Sequence, residues 1–488
     1  MMKIKYTLNS RYIYLLFIMK RWGQVETRAP LFSKENLRRL IVPLMIEQLL
    51  TVTVGMADTM MVSAAGEAAI SGVSLVDNIN LLIINILSAL TTGGAVVASQ
   101  YLGQKDRRDA CESAKQLLLT ALLFSLAMAA VALIFNRGLL SLTFGSIDAD
   151  VMENAVTYFG ISALSYPFIA LYNSCTALYR SMGNSKVSMY TSLLMNVINI
   201  GGNAYTVFVL HMGAAGVAVA SLASRIVAAA IMLVLVHNPK NEIYVRHLHS
   251  IRPNFPVIKK ILYIGIPNGF ENGLFQLGKI LVLSLVSSFG TTAIAANAVA
   301  NNLSAICVLP GNAISLAMIT VVGQCVGAMD YGQARTYTKR LVRMSTLYIA
   351  AIGALIVAAL PLILNIYQLS PDTTRTASEI IIFYCICAAV MWSFSFVLPN
   401  ALRASNDVKF TMIVSVASMW TFRIGFSFVL GKFLHMGLFG VWVAMVIDWV
   451  CRITFFLLRF RGTKWQKFGR ELSPEEQAIQ SESSPSAS

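Results

Sequence analysis

Twelve long apolar runs, none with the alternation of a β-strand, dominate the 488 residues of the chain. A helix needs about 20 mostly apolar residues to cross a hydrocarbon core about 30 Å thick. Backbone groups in lipid must be paired within the protein, so runs of this length are helical, whereas a β-barrel would show short alternating segments. The runs, numbered here as spans 1 to 12, are 40–63, 72–99, 113–136, 152–180, 185–209, 214–237, 257–288, 292–326, 337–366, 376–404, 409–431 and 437–459. Only 12% of residues are charged and the mean hydropathy is +0.67, against roughly 25% charged in soluble domains. The expected fold is an all-α integral membrane protein with twelve transmembrane helices.

The net charge of +15 would suit a nucleic-acid partner if it formed one patch, but it follows the membrane instead. With the N-terminus placed inside, 31 of the 38 Lys and Arg fall before span 1, in the even-numbered loops and the span ends that flank them, or at and after the end of span 12. The outside loops hold only Arg137, Arg375 and Lys432, so both termini are expected in the cytoplasm of a multi-pass protein in the cell (inner) membrane. None of the seven cysteines lies in an outside loop, so no disulfide framework is implied. The stretch Lys3 to Lys20 lacks a cleavage site and reads as an interfacial segment or a misplaced start, and the polar tail from Ser473 is expected to be disordered.

Sliding the sequence on itself by 224 positions aligns Pro43–Ala110 with Pro267–Ala334 without gaps, pairing Glu47 with Glu271, Asn78 with Asn302 and Gln100 with Gln324. The register returns where HMGAAGVAVA from His211 matches HMGLFGVWVA from His435. Between these, one residue out of register, Arg180 and Lys186 correspond to Arg403 and Lys409. The organisation predicted is an N-terminal segment 1–38, an N-lobe 39–237, a linker 238–256, a C-lobe 257–460 and a tail 461–488. Six spans per half give two pseudo-symmetric bundles of the same orientation, and rocking of such bundles around a shared cavity is the natural basis of alternating access.

Ionisable residues inside a membrane are costly and need a partner, a proton or a water-filled cavity. Asp58 near the outer end of span 1 and Asp77 at the outer start of span 2 can share a pocket, where like charges make one of them a proton-binding candidate. Glu47 and Glu271 each follow a proline by four residues, and either caps a network near the cytoplasmic ends or lines the cavity. Lys279 lies two turns beyond Glu271 on the same face of span 7. Asp448 and Arg452 have ion-pair spacing and read as structural. Arg225 and Arg423 face the bundle interior or reach toward its ends, and neither is assigned a role. Asn196, Asn199 and Asn203 on span 5, with Asn297, Asn301 and Asn302 on span 8, can bond between helices or line the cavity. The sequence has no phosphate loop and no HExxH zinc motif, so no enzymatic activity, metal site or cofactor is expected beyond a coupling ion. The His247 and His249 pair is at most a weak metal signal.

The span-1 segment VPLMIEQLLTVTVGMADTMMVSAAG, GGAVVASQYLGQKDRRDA after span 2, ALYRSMGNSK after span 4, NVINIGGN in span 5 and ALRASND after span 10 carry a resemblance to the multidrug and toxic compound extrusion transporters. It covers about 35–460. The resemblance implies efflux of cationic or amphipathic small molecules in exchange for H⁺ or Na⁺, by a monomer in the lipid bilayer. It places the coupling ion at Asp58, with Asp77 and Glu271 as further candidates. Glu47, Asn196, Asn199, Asn203, Lys279 and Asn301 become candidates for the cavity. Some members have an aspartate in span 5 where this chain has Asn203, and span 10 lacks the carboxylate that others use. A lipid-linked saccharide flippase of the same superfamily is the nearest rival, and a channel or scaffold is the alternative from another class.

Overall fold

The computed structural model describes residues 30–64, 66–145, 148–246 and 252–467. The readings made above for the start of the chain, for His247 and His249 and for the tail from Ser473 lie outside the described residues. Helices occupy every expected span. Span 1 is Lys34–Ser63, span 2 Glu67–Gly103, span 3 Arg107–Ile134, span 5 Ser185–Ala204 with a π-helical turn Tyr205–Val209, and span 6 Gly213–Val236. Span 7 is Phe255–Ser287, span 9 Tyr331–Ile366 and span 12 Gly437–Arg461. Spans 4 and 8 are each broken, into Ala149–Leu164 with Tyr166–Ser181 and into Thr291–Cys307 with Leu309–Gly327; Pro167 and Pro310 open the second pieces. Spans 10 and 11 contain π-helical turns at Ser393–Val397, Met419–Gly425 and Ser427–Phe433.

Ten helices are long and apolar enough to span, or eleven when the two pieces of span 4, bent by 44°, are taken as one. Span 7 is absent from that set: its 33 residues suffice in length, but Asn268, Glu271, Asn272, Gln276 and Lys279 interrupt its apolar surface. It lies along span 2, its most extensive helix neighbour.

Side-chain caps start the helices where the sequence offers short polar residues. The Asp106 carboxylate accepts from the Asp109 amide at 3.0 Å to open span 3, and its repeat partner Asp330 accepts from Gln333 at 2.9 Å to open span 9. The repeat extends to the backbone. All twelve positive-φ residues among those described fall into six pairs across the halves: Gly66 with Gly290, Lys105 with Met329, Gly145 with Gln368, Gly183 with Asn406, His211 with His435, and Gly213 with Gly437. The pairs also locate the register slips. The N-half is one residue longer between the second pair and the third, where span 3 ends and a short helix, Asn136–Phe144, follows. The C-half is one residue longer between the fourth and fifth, where the π turn Met419–Gly425 has no counterpart in span 5.

Each half forms its own buried core, but the first turns of the leading helices are exchanged. Leu37, Leu40, Ile41 and Leu44 of span 1 belong to the C-lobe core, while Val257, Ile261 and Ile264 of span 7 belong to the N-lobe core. Pro43 and Pro267 therefore stand close to where each helix passes from one lobe to the other.

The lobes are joined at the end that carries the basic loops. Gln100 donates to the Ala404 carbonyl at 2.8 Å, and Gln324 donates to the Ser181 carbonyl at 2.7 Å. At the same end Tyr337 ties the segment before span 1 to the C-lobe, donating to the Phe32 carbonyl at 2.8 Å and accepting from the Phe32 amide at 3.0 Å. Spans 2 and 8 cross here with almost nothing between their backbones. A Cβ added at Gly103 would collide with the Gln324 carbonyl, and one at Gly327 with the Gln100 carbonyl.

Candidate functional site

In the N-lobe, Asp58 and Asp77 stand in a polar cluster built from spans 1, 2, 4, 5 and 6. Asp58, half-buried, accepts a hydrogen bond from the Asn203 amide nitrogen at 2.5 Å. Asn203 is itself fully buried and also donates to Asn199 Oδ1 at 3.2 Å, and Asn199 donates to Ser221 at 3.0 Å. One turn of helix separates Asn199 from Asn203, which is why the two amides reach each other. The Asn203 Oδ1 atom is buried without a hydrogen-bond partner.

Asp77 accepts from the Tyr158 hydroxyl at 3.1 Å and lies 3.5 Å from the Asn80 amide, which in turn accepts from Tyr166 at 2.7 Å. Arg225, held by the Ser165 hydroxyl at 2.5 Å, acts electrostatically on both acids, and Asp77 acts on Asp58. The arrangement is two carboxylates balanced by one guanidinium, ringed by amide and hydroxyl groups. Oxygen-rich surroundings of this kind suit a proton or a hard cation.

Glu47 and Glu271 have a different environment. Glu271 Oε1 accepts from Arg403 at 2.6 Å, and Arg403 also donates to Asn400 at 2.8 Å. Glu47 lies 3.6 Å from Arg180 and accepts from Ser188 at 3.0 Å. All four ionic groups are largely buried. Glu271 is thus associated with Arg403, and the ion partner of Glu271 is not Lys279. The repeat carried the signal for these pairs, because Arg180 and Arg403 correspond across the halves just as the two glutamates do.

In the C-lobe, Lys279 Nζ lies 5.2 Å from the centre of the Phe275 ring, with the guanidinium carbons of Arg423 and Arg452 each at 5.5 Å. Arg452 is neutralised by Asp448 at 2.9 Å, and Ser418 donates to the same carboxylate at 2.5 Å. That ion pair is fully internal, as its spacing predicted. Asn297 accepts from the Trp442 ring nitrogen at 3.2 Å, a packing role. Asn196 is buried with its amide nitrogen unpartnered, and Asn301 is exposed on span 8. No group of three or more potential metal ligands occurs among the described residues. The sequence reading missed Tyr158, Tyr166 and Ser188, ordinary residues in apolar helices that nothing in their spacing distinguishes.

The sequence matches the MatE family over 43–205 and 267–429, one match in each lobe. It is 28% identical to the "uncharacterized transporter YisQ" of Bacillus subtilis over 89% of this chain and 95% of that one. Against the "probable multidrug resistance protein NorM" of Thermotoga maritima the identity is 25% over 89% and 93%. Among solved structures, the outward-facing conformation of a multidrug resistance MATE family transporter superposes with a TM-score of 0.83 at 20% identity, covering 89% of this chain and 97% of that one. With both lobes matched and the two-lobe helical fold shared, the chain belongs to the MatE family of multi-pass membrane transporters and is not an enzyme.

Proposed function

We propose that the protein is a secondary active multidrug efflux antiporter, exporting cationic or amphipathic small molecules in exchange for H⁺ or Na⁺ by alternating access between its lobes. It acts as a monomer in the cell (inner) membrane with both termini in the cytoplasm. The observation that carries this reading is Asp58: a half-buried carboxylate in a membrane helix, held by an amide rather than by a full counter-charge. An opposing cation would make the site permanently neutral, whereas an amide leaves its charge state open to a proton or Na⁺. Neutralising such a carboxylate removes a burial cost of several kcal/mol, enough to shift a two-state equilibrium.

Asp77 and the unpartnered Asn203 oxygen supply further ligands in this scheme. Glu271 is the remaining coupling-ion candidate, and its Arg403 partner makes it the weaker one. Glu47, Asn196, Asn199, Lys279 and Asn301 remain the cavity candidates. Contacts joining the lobes at the basic end fit an outward-facing state, and ion entry would release the substrate there with a bend of span 1 near Pro43. The names of the relatives, multidrug resistance proteins among them, support the substrate class.

The test is dye or fluoroquinolone efflux from sealed vesicles, with proton and sodium gradients imposed separately. Uphill movement under one gradient, lost in Asp58→Asn at normal membrane insertion, is the expected result and identifies the ion. Retained transport in that variant rejects Asp58 as the coupling site. Movement under neither gradient favours a lipid-linked saccharide flippase.

A further inference from the structure

Span 9 is longer than a membrane crossing requires. Its 36 residues make a helix about 54 Å long, against a hydrocarbon core of about 30 Å. The excess lies at the basic end. The first large apolar side chains that span 9 exposes are Leu347 and Tyr348, whereas the exposed side chains of its earlier turns are Thr336 and Arg343, so the edge of the hydrocarbon falls near Arg343. Arg335, Lys339 and Arg343 recur at every fourth residue and form one row on the helix, and both arginines act electrostatically on Lys339. Like charges at this spacing repel, and an anion beside the row relieves the repulsion.

The row borders an apolar groove between three helices. Lys339 lines it together with Val342 of span 9, Phe394 and Leu398 of span 10, and Leu457 and Phe460 of span 12. Two other cations at this end are committed to the protein: Arg335 donates to the Gly462 carbonyl at 2.8 Å beyond the end of span 12, and Arg459 is paired with Asp407 at 2.6 Å. Lys339 and Arg343 are left to mark the groove. The N-lobe treats the equivalent place differently. A shift of 224 puts Cys111, Lys115 and Leu119 opposite Arg335, Lys339 and Arg343, and Lys115 is paired with Glu112 at 3.5 Å. The linker closes that face, where Gln116 donates to the Arg252 carbonyl at 2.9 Å and accepts from the Asn254 amide at 3.1 Å.

We infer that the groove between spans 9, 10 and 12 binds an anionic phospholipid of the adjoining leaflet, its phosphate on Lys339 and Arg343 and an acyl chain against Val342, Phe394 and Leu457. Basic pockets between helices at a membrane surface recognise anionic headgroups, and the guanidinium fork matches two phosphate oxygens. A free phosphate would satisfy the cations and leave the apolar walls uncovered; a phospholipid covers both. The site is separate from the polar cluster of the N-lobe and does not depend on the efflux reading.

The experiment is native mass spectrometry of the purified, delipidated protein in detergent, titrated separately with phosphatidylglycerol and with phosphatidylcholine of the same chains. For the first lipid bound, the wild type should prefer phosphatidylglycerol about thirtyfold, and Lys339→Gln/Arg343→Gln should bring the two Kd values together. Lys115→Gln, at the equivalent place in the N-lobe, should leave the preference unchanged. Equal Kd values in the wild type, or a preference that the double variant keeps, overturn the inference. If the double variant aggregates, Arg343→Gln alone carries the test: its side chain is exposed, and the preference should fall about fivefold. Inorganic phosphate separates a lipid from a free anion. Phosphatidylglycerol should raise Tm in the wild type where phosphate does not, and an equal rise with phosphate overturns the lipid assignment.

Discussion

The two lobes share a scaffold and differ in charge. A shift of 224 places Val282 where Asp58 stands and Asn301 where Asp77 stands, and it places Gly55 opposite Lys279 and Asn199 opposite Arg423. Each of these four charges meets a neutral residue in the other lobe. The glutamate–arginine pairs, the helix caps and the left-handed turns are kept in both. The contacts that hold each lobe together are kept in both halves, while Asp58, Asp77, Lys279 and Arg423 each occur in one half alone.

The comparison can be broken most severely at Asp58. Asp58→Asn should bring gradient-driven efflux to background, and adding Val282→Asp should not restore it, because span 11 has Ser427 where span 5 has Asn203. Recovery in that double variant, measured in vesicles, would show the lobes to be interchangeable.

Next in size is the shared ion pair. Arg403→Met strands a buried Glu271, at a cost of about 3–5 kcal/mol, read as a large fall in Tm. Glu271→Gln on top of it should recover most of the loss. Arg180→Met should cost less, because the Glu47 pair is longer at 3.6 Å and Ser188 supports the carboxylate.

A smaller effect is expected at the crossing of spans 2 and 8. Gly327→Ala forces the Gln100 backbone away and should favour the alternative arrangement of the lobes. Maleimide labelling of Cys325, fully buried here, should rise several-fold, and unchanged labelling would mean that the crossing does not hold this state. The smallest effect is expected for Tyr158→Phe, which removes one hydrogen bond from Asp77. The loss is about 1 kcal/mol, and it should lower Tm by only a few degrees.

Much of this was legible in the sequence because the membrane simplifies the code. Span positions followed from hydropathy, and the repeat was visible at Pro43/Pro267 and HMG in each half. The proximity of Asp58 to the span-5 amide followed from the family resemblance. Span 7 was placed at 257–288, within two residues of the helix Phe255–Ser287, although Asn268, Glu271, Asn272, Gln276 and Lys279 lower its hydropathy. The Glu47–Arg180 and Glu271–Arg403 pairs were present as two separate correspondences, but contact between them depends on how spans 1 and 7 lie against the ends of spans 4 and 10. Tyr158 met Asp77 through helix packing, which has no local sequence signature. Lys279 was visible as a charge in lipid, and what could not be read was that its neighbours would be cations.

The π turn at Met419–Gly425 has one further consequence. An extra residue in an α-helix rotates all that follows by about 100°, which would turn the end of span 11 away from its partners. A π turn confines the disturbance to one loop of backbone, and the left-handed turn at His435 accordingly matches that at His211. Arg423 lies within this turn. A one-residue insertion in one copy of a duplicated gene can in this way create an address that the other copy does not possess, leaving the inherited architecture on either side intact.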